Sequence, residues 1–281
     1  MKRMQYSGLM FHNFNQHRFY WLYGWMISVI WGVTLLLLIQ VPSWILALMS
    51  VFVILSGAVF LYKNLRHTPI ITLLLLCAAT GIFFGFSYYF KMDRDYAAYM
   101  INAEYLIQNQ SFFGQTDYFQ WGLYVTNGLL TPVFLFGYSV FLVPFSMIFG
   151  QVGFYIANFF LLAVSVLSLR QVLHVLHPSS GAEKFLAILF IFSPIVMWLY
   201  SYTYSETLFL PLIWGAIALF LDAKQRNSWT GLLASFGAVC LAFTVRVEAL
   251  GLMAFFALGI HILYVRWRIG WKRYIIAFCT A

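Results

Sequence analysis

Four charges fall within five positions in "KMDRDYAAYM" (residues 91–100), directly after a charge-free run from Thr68 to Phe90. Asp93 and Asp95 are the carboxylates of that group. A carboxylate that accepts a proton from an attacking hydroxyl acts as a general base. The competing reading is structural, because Asp is a favoured N-cap and Asp95 precedes the helix-forming "YAAYMINA". Glu206 follows "SYTYS" and opens an apolar run. It reads either as an acid in the first turn of a Ser205-capped helix, favoured by the helix dipole, or as a carboxylate lining a cavity. Arg246 and Glu248 interrupt the apolar stretch from Trp229 to Val265. A charge at mid-bilayer costs about 2.5–3.5 kcal/mol on insertion scales, so such residues pair at a turn or line a cavity. In the second case Arg246 is suited to an anionic head group, since a guanidinium matches phosphate geometry.

Other chemistries have less support. No Walker loop, G-x-G-x-x-G, H-E-x-x-H or G-x-S-x-G occurs. Cys77, Cys240 and Cys279 lie far apart in apolar runs, without disulfide or C-x-x-C metal spacing. His174 and His177, beside Arg170, read as interfacial histidines rather than a metal pair. The two acids near residue 94 leave a divalent metal ion open, with no certain cofactor. Outward acids plus one intramembrane arginine suit a lipid-linked phosphate reached from the bilayer.

The elements that position these residues are membrane helices. The 281 residues are 63% hydrophobic and 9% charged, against about 25% charged in soluble domains. Apolar runs at about 21–39, 44–62, 69–90, 152–169, 185–200 and 206–221 approach the roughly 20 residues that cross a bilayer. The run 229–265 reads as two helices meeting at "RVE". Residues 96–107 carry Tyr96, Tyr99, Ala103, Leu106 and Ile107 at helical spacing, an amphipathic surface helix. The start has no cleavable signal, so the first span is expected to remain as an anchor.

Charge arbitrates the run 129–149, broken by Pro132, Gly137 and Pro144. If it does not cross and the N-terminus is cytoplasmic, thirteen of the sixteen Lys and Arg face the cytoplasm and only Lys91, Arg94 and Arg246 face out. If it crosses, the inside tally falls to six against ten. The positive-inside rule selects the first arrangement, with 129–149 re-entrant or lying in the membrane. Asp93, Asp95, Glu104, Asp117, Glu206 and Glu248 then share the outer side. The net charge of +8 reflects this asymmetry and not nucleic-acid binding.

The order of features resembles the GT-C superfamily of polytopic glycosyltransferases, which includes protein O-mannosyltransferases and lipid A aminoarabinose transferases. "DRDYAAYMINAEYLIQNQSFF" is similar to the family's first outer loop. "FGYSVFLVPFSMIFG" is similar to its G-Y-P segment, "FSPIVMWLYSYTYSETLFLPL" to its S-P and S-E helix pair, and "GLLASFGAVCLAFTVRVEAL" to the helix ending in T-R-P. Together they cover about 93–250. Val247 and Ser139 stand where the family has proline. The resemblance implies Asp95 as base through the offsets to Tyr99, Ala103 and Leu106, with Asp93 as runner-up. It implies Arg246 for the donor phosphate, and Glu206, Tyr99 and Glu248 for orienting the acceptor.

The expectation is therefore an all-α polytopic protein of about eight spans plus surface or re-entrant helices. Residues 1–68 form a cytoplasmic segment and two leading helices. Residues 69–265 form a catalytic module with an outer loop at 91–150, and 266–281 a basic loop and an incomplete helix. The chain ends eight residues past Arg273, where the resemblance implies further helices, so a piece of a longer or partner-dependent protein is expected. The expected activity is inverting sugar transfer from a polyprenyl-phosphate donor to a lipid, glycan or protein hydroxyl, at the outer face of a bacterial cytoplasmic membrane. A non-enzymatic membrane subunit, a lipid-glycan transporter or a polymerase component is the alternative.

Overall fold

A computed structural model describes residues 6–65, 94–109, 123–126, 129–132, 136–176, 182–202, 204–226, 228–246 and 248–267. Its helices are α1 (Tyr6–Leu38), α2 (Ser43–Leu65), α3 (Arg94–Asn109), α4 (Gly137–Phe149), α5 (Val152–Leu176), α6 (Ala182–Ile191), α7 (Pro194–Ser201), α8 (Glu206–Arg226), α9 (Trp229–Phe243) and α10 (Ala249–Trp267). The described residues are almost wholly helical, as expected, apart from one short ribbon. Leu123–Thr126 and Leu129–Pro132 pair as a short antiparallel ribbon, with Leu123 opposite Pro132 and Thr126 opposite Leu129.

Among the described residues, four helical stretches are long and apolar enough to cross a membrane: Trp21–Leu38, Ser43–Lys63, Val152–Leu173 and Glu206–Arg226. Helix α2 carries Trp44, Leu48, Phe52, Leu55, Val59 and Tyr62 exposed at spacings of three and four. That is a continuous greasy stripe on the outside of the protein, which water would penalise and lipid would not. The span expected at 69–90 lies outside the described residues, as does the segment beyond Trp267.

Helix α5 is the central post. It is apolar all round, and nearly every side chain from Gly153 to Ser168 is buried, the pattern of a helix surrounded by others. Helices α4, α6, α7 and α8 pack on it. Helix α8 is followed by α9 after a short link, capped by Ser228, whose hydroxyl accepts from the Gly231 N–H at 3.3 Å. The return brings the end of α9 beside the start of α8. Tyr23 of α1 locks α1, α5 and α8 together. Its hydroxyl pairs with Ser168 at 2.6 Å and donates to the Pro211 carbonyl. Gly215 leaves the room for that ring, since a Cβ there would overlap it.

The stretch 129–149 divides into the second strand and α4. With 13 residues, α4 is about 20 Å long, short of a hydrocarbon core of about 30 Å. Residues Gly137 to Ser146 are all buried, beneath α1, α2, α3 and α5. The expected single helix at 185–200 is instead two. Helix α6 stops at Ile191, and Pro194 opens α7 at its first position. Proline is suited to that position because the N–H it lacks would have no helical partner there.

Candidate functional site

One end of the bundle gathers the start of α4, the end of α7, the start of α8, the end of α9 and the start of α10. A backbone bond fixes two of these elements. The Gly137 N–H donates to the Thr244 carbonyl at 2.8 Å, and a Cβ on Gly137 would sit 2.8 Å from that same oxygen. Only a glycine lets α4 approach the end of α9 so closely.

The charged group stands here. Arg246 Nη1 donates to Glu206 Oε1. Its other edge makes a fork with Glu248, Nε to Oε2 at 3.2 Å and Nη2 to Oε1 at 2.7 Å. The Ser205 hydroxyl lies among them, 3.4 Å from Arg246 Nη1 and 3.3 Å from Glu206 Oε2. Glu206 occupies the first turn of α8, where the helix dipole favours a carboxylate. The arginine side chain is 29% exposed, that of Glu206 35% and that of Glu248 57%. The cluster is therefore open on the Glu248 side. One positive and two negative groups leave it formally −1 (+1 −1 −1). The hydrogen bond from Arg246 holds the Glu248 carboxyl below its ordinary range, and Glu248 raises the Arg246 guanidinium in turn.

A buried polar network lies beneath. Asn158 of α5 has no exposed surface. Its Oδ1 accepts from the Tyr138 hydroxyl at 2.5 Å and from Thr207 Oγ1 at 3.4 Å, while Nδ2 donates to the Tyr202 carbonyl at 2.7 Å. The single Thr207 hydroxyl proton is shared, pointing chiefly at the Tyr204 carbonyl at 2.6 Å. One amide thus ties α4, α5, the end of α7 and the start of α8. A buried amide so satisfied fixes geometry, because each lost partner leaves a desolvated polar atom.

Helix α3 completes the region. Tyr99, Met100, Ala103 and Leu106 face inward, and Gln108 and Asn109 face out, as the sequence pattern suggests, but the polar Asn102 is buried with the apolar residues. The Tyr99 ring meets the Tyr138 ring edge-on at 5.2 Å. Tyr99 is thus seated against Tyr138, behind the network. Glu104 on the same helix is half-buried, and burial raises its carboxyl above the ordinary value. Asp95 is the second residue of α3, about 6 Å along the axis from Tyr99 at 1.5 Å per residue. The Asp95 side chain, and Asp93 altogether, lie outside the described residues.

Of the residues singled out in the sequence, the structure joins Glu206, Arg246 and Glu248 directly, with Tyr99 linked through Tyr138 and Asn158. Sequence reasoning missed Asn158, Tyr138 and Thr207. The available signal was a single amide inside an apolar helix, a residue that must find partners there. Among the described residues no three His, Cys, Asp or Glu side chains converge to hold a metal ion. The guanidinium also occupies the space between Glu206 and Glu248 that a cation would need. No protein-family model matches the chain, and no curated protein or solved structure is significantly similar to it.

Proposed function

We propose that the chain is a polytopic membrane glycosyltransferase that moves a sugar from a polyprenyl-phosphate donor to an acceptor hydroxyl at the outer membrane face. The supporting observation is the Arg246 cluster: a guanidinium anchored by Glu206, open to the surroundings on the Glu248 side, and set one network away from the helix that carries Asp95. In this reading about eight helices span, α4 stays within the membrane region without crossing, and the N-terminus is cytoplasmic. The shortness and burial of α4 are consistent with that path.

The acceptor oxygen attacks the anomeric carbon as its proton passes to the Asp95 carboxylate. The bond from that carbon to the phosphate oxygen breaks, and its electron pair leaves on the phosphate. Direct displacement inverts the anomeric centre. Arg246 binds the donor phosphate and stabilises the charge that develops on it. Glu248 gives up part of its fork to admit the anion, while Glu206 keeps the guanidinium aimed. Asp93 is the alternative base.

A second reading has its own support. Arg246 is already matched by two carboxylates, as a brace in a non-enzymatic subunit or lipid-glycan transporter would be. Asp95→Asn separates the two. Asparagine caps a helix as well as aspartate but cannot take the proton. Transfer from polyprenyl-phosphate sugars in membranes should disappear in the variant at unchanged protein level. Undiminished transfer by Asp95→Asn would remove Asp95 as base. No transfer by the wild-type chain would favour the brace.

A further inference from the structure

Trp198, Tyr202 and Tyr204 form a three-ring corner next to the charged cluster. Trp198 lies 5.0 Å from Tyr204 and 5.8 Å from Tyr202, and the two tyrosine rings are 6.0 Å apart. The rings meet at 37° to 57°, so they are tilted against one another and do not lie in one plane. Trp198 is 51% exposed, and both tyrosines are half-buried. Along the chain, Tyr204 directly precedes Ser205 and Glu206.

We propose that this corner is a subsite for a saccharide ring. A pyranose has an apolar C–H face and a rim of hydroxyl donors. The electron-rich faces of Trp and Tyr attract the first. The carboxylates of Glu206 and Glu248 accept hydrogen bonds from the second, and both already belong to the adjoining cluster.

The rings are also held in a way that a lipid-interface anchor does not need. The Tyr202 carbonyl is pinned by Asn158 at 2.7 Å and the Tyr204 carbonyl by Thr207 at 2.6 Å. Both pinning side chains are fully buried. Aromatic residues at a membrane interface sit at headgroup level as amphipathic anchors, which needs no tie to a buried network. Rings fixed through their backbone to a buried network are preorganised, which lowers the ordering cost of binding. The subsite rests on the glycosyl-transfer reading for its biological use, where it seats the donor sugar. Its binding chemistry stands without that reading.

The test uses the full chain in lipid nanodiscs with methyl α-mannopyranoside and methyl β-glucopyranoside, read by saturation-transfer NMR. Transfer to the C–H protons of at least one glycoside is expected in wild type. It should be lost in Trp198→Leu and Tyr204→Leu and kept in Trp198→Phe, which retains a ring. Trp44→Leu removes an exposed tryptophan from α2 and should change nothing. No saturation in wild type, or equal saturation in wild type and Trp198→Leu, would overturn the subsite. Lowered thermal stability of Trp198→Leu with glycoside contact intact would make the corner a membrane anchor and also overturn it. Glycoside contact in a wild-type chain that transfers no sugar counts against the transfer reading alone. Transfer that survives without glycoside contact counts against the subsite alone.

Discussion

Arg246 is a guanidinium with both usable edges occupied, so its partners set what it can bind. Glu206 lies in the first turn of α8, where dipole and charge agree. Glu248 is the more exposed partner and makes the fork that a phosphate would want. Replacing it should therefore help an anion. Glu248→Gln is expected to tighten binding of a fluorescent polyprenyl phosphate by about two- to fivefold, the range for an exposed pair. Unchanged or weaker binding would mean that the fork is not in competition. The pairing also has a pH signature. The Glu248 carboxyl is held below 4.5, so its contribution to stability is complete above 4.5 and is lost as pH falls through the lowered value. Glu104 has the opposite sign, because burial raises it above 4.5. Its favourable contribution is complete below 4.5 and disappears as pH rises through the raised value. Glu104→Gln should accordingly gain thermal stability over wild type at pH 7 and lose that advantage near pH 4, measured by unfolding in detergent.

Helices bring these residues together through a few buried polar ties, and that is the part of the site the sequence concealed. Asp95, Glu206, Arg246 and Glu248 stood out because charge is rare in this chain. Asn158 did not, since one amide in "VGFYIANFFLLAV" alters neither the length nor the hydropathy of the span. Its importance depends on Tyr138, Tyr202 and Thr207, which are distant in sequence and meet only in the fold. Asn158→Leu strands the Tyr138 hydroxyl and the Tyr202 carbonyl. It should cost about 1–3 kcal/mol per polar group left buried, seen as a lowered unfolding midpoint. The break between α6 and α7 was legible in "FSPIV" as serine followed by proline, yet the apolar run around it read as one helix. The two helices at 229–265 were predicted correctly, because "RVE" cannot continue an apolar span. Gly137 gives an element-scale test. Gly137→Ala places a methyl group against the Thr244 carbonyl and should destabilise by about 1–3 kcal/mol, as overpacking does.

At the scale of the molecule, composition alone carried the class. Four stretches among the described residues are long and apolar enough to span, and the outward stripe on α2 has the spacing of a lipid-facing helix face. Phe52 lies near the middle of α2 and is exposed. Phe52→Lys should raise the cost of inserting that helix by about 2.5–3.5 kcal/mol, measurable as a shift from inserted to translocated product in a membrane-insertion assay. Phe52→Leu should insert like wild type. The run 129–149 shows where composition reached its limit. Its hydropathy resembles that of a span, while the charges around it and the 13-residue length of α4 both argue for a segment that stays within the bundle.

The most direct test is the initial rate of sugar transfer from labelled polyprenyl-phosphate sugars in nanodiscs, comparing wild type with Arg246→Lys at equal folded amounts. Lysine keeps the charge and removes the planar fork. Measurable transfer by wild type, falling about 10²–10³-fold in Arg246→Lys as for loss of a preorganised donor to developing charge, is the expected result. Transfer at the wild-type rate by Arg246→Lys, or none by the wild-type chain, would contradict the account.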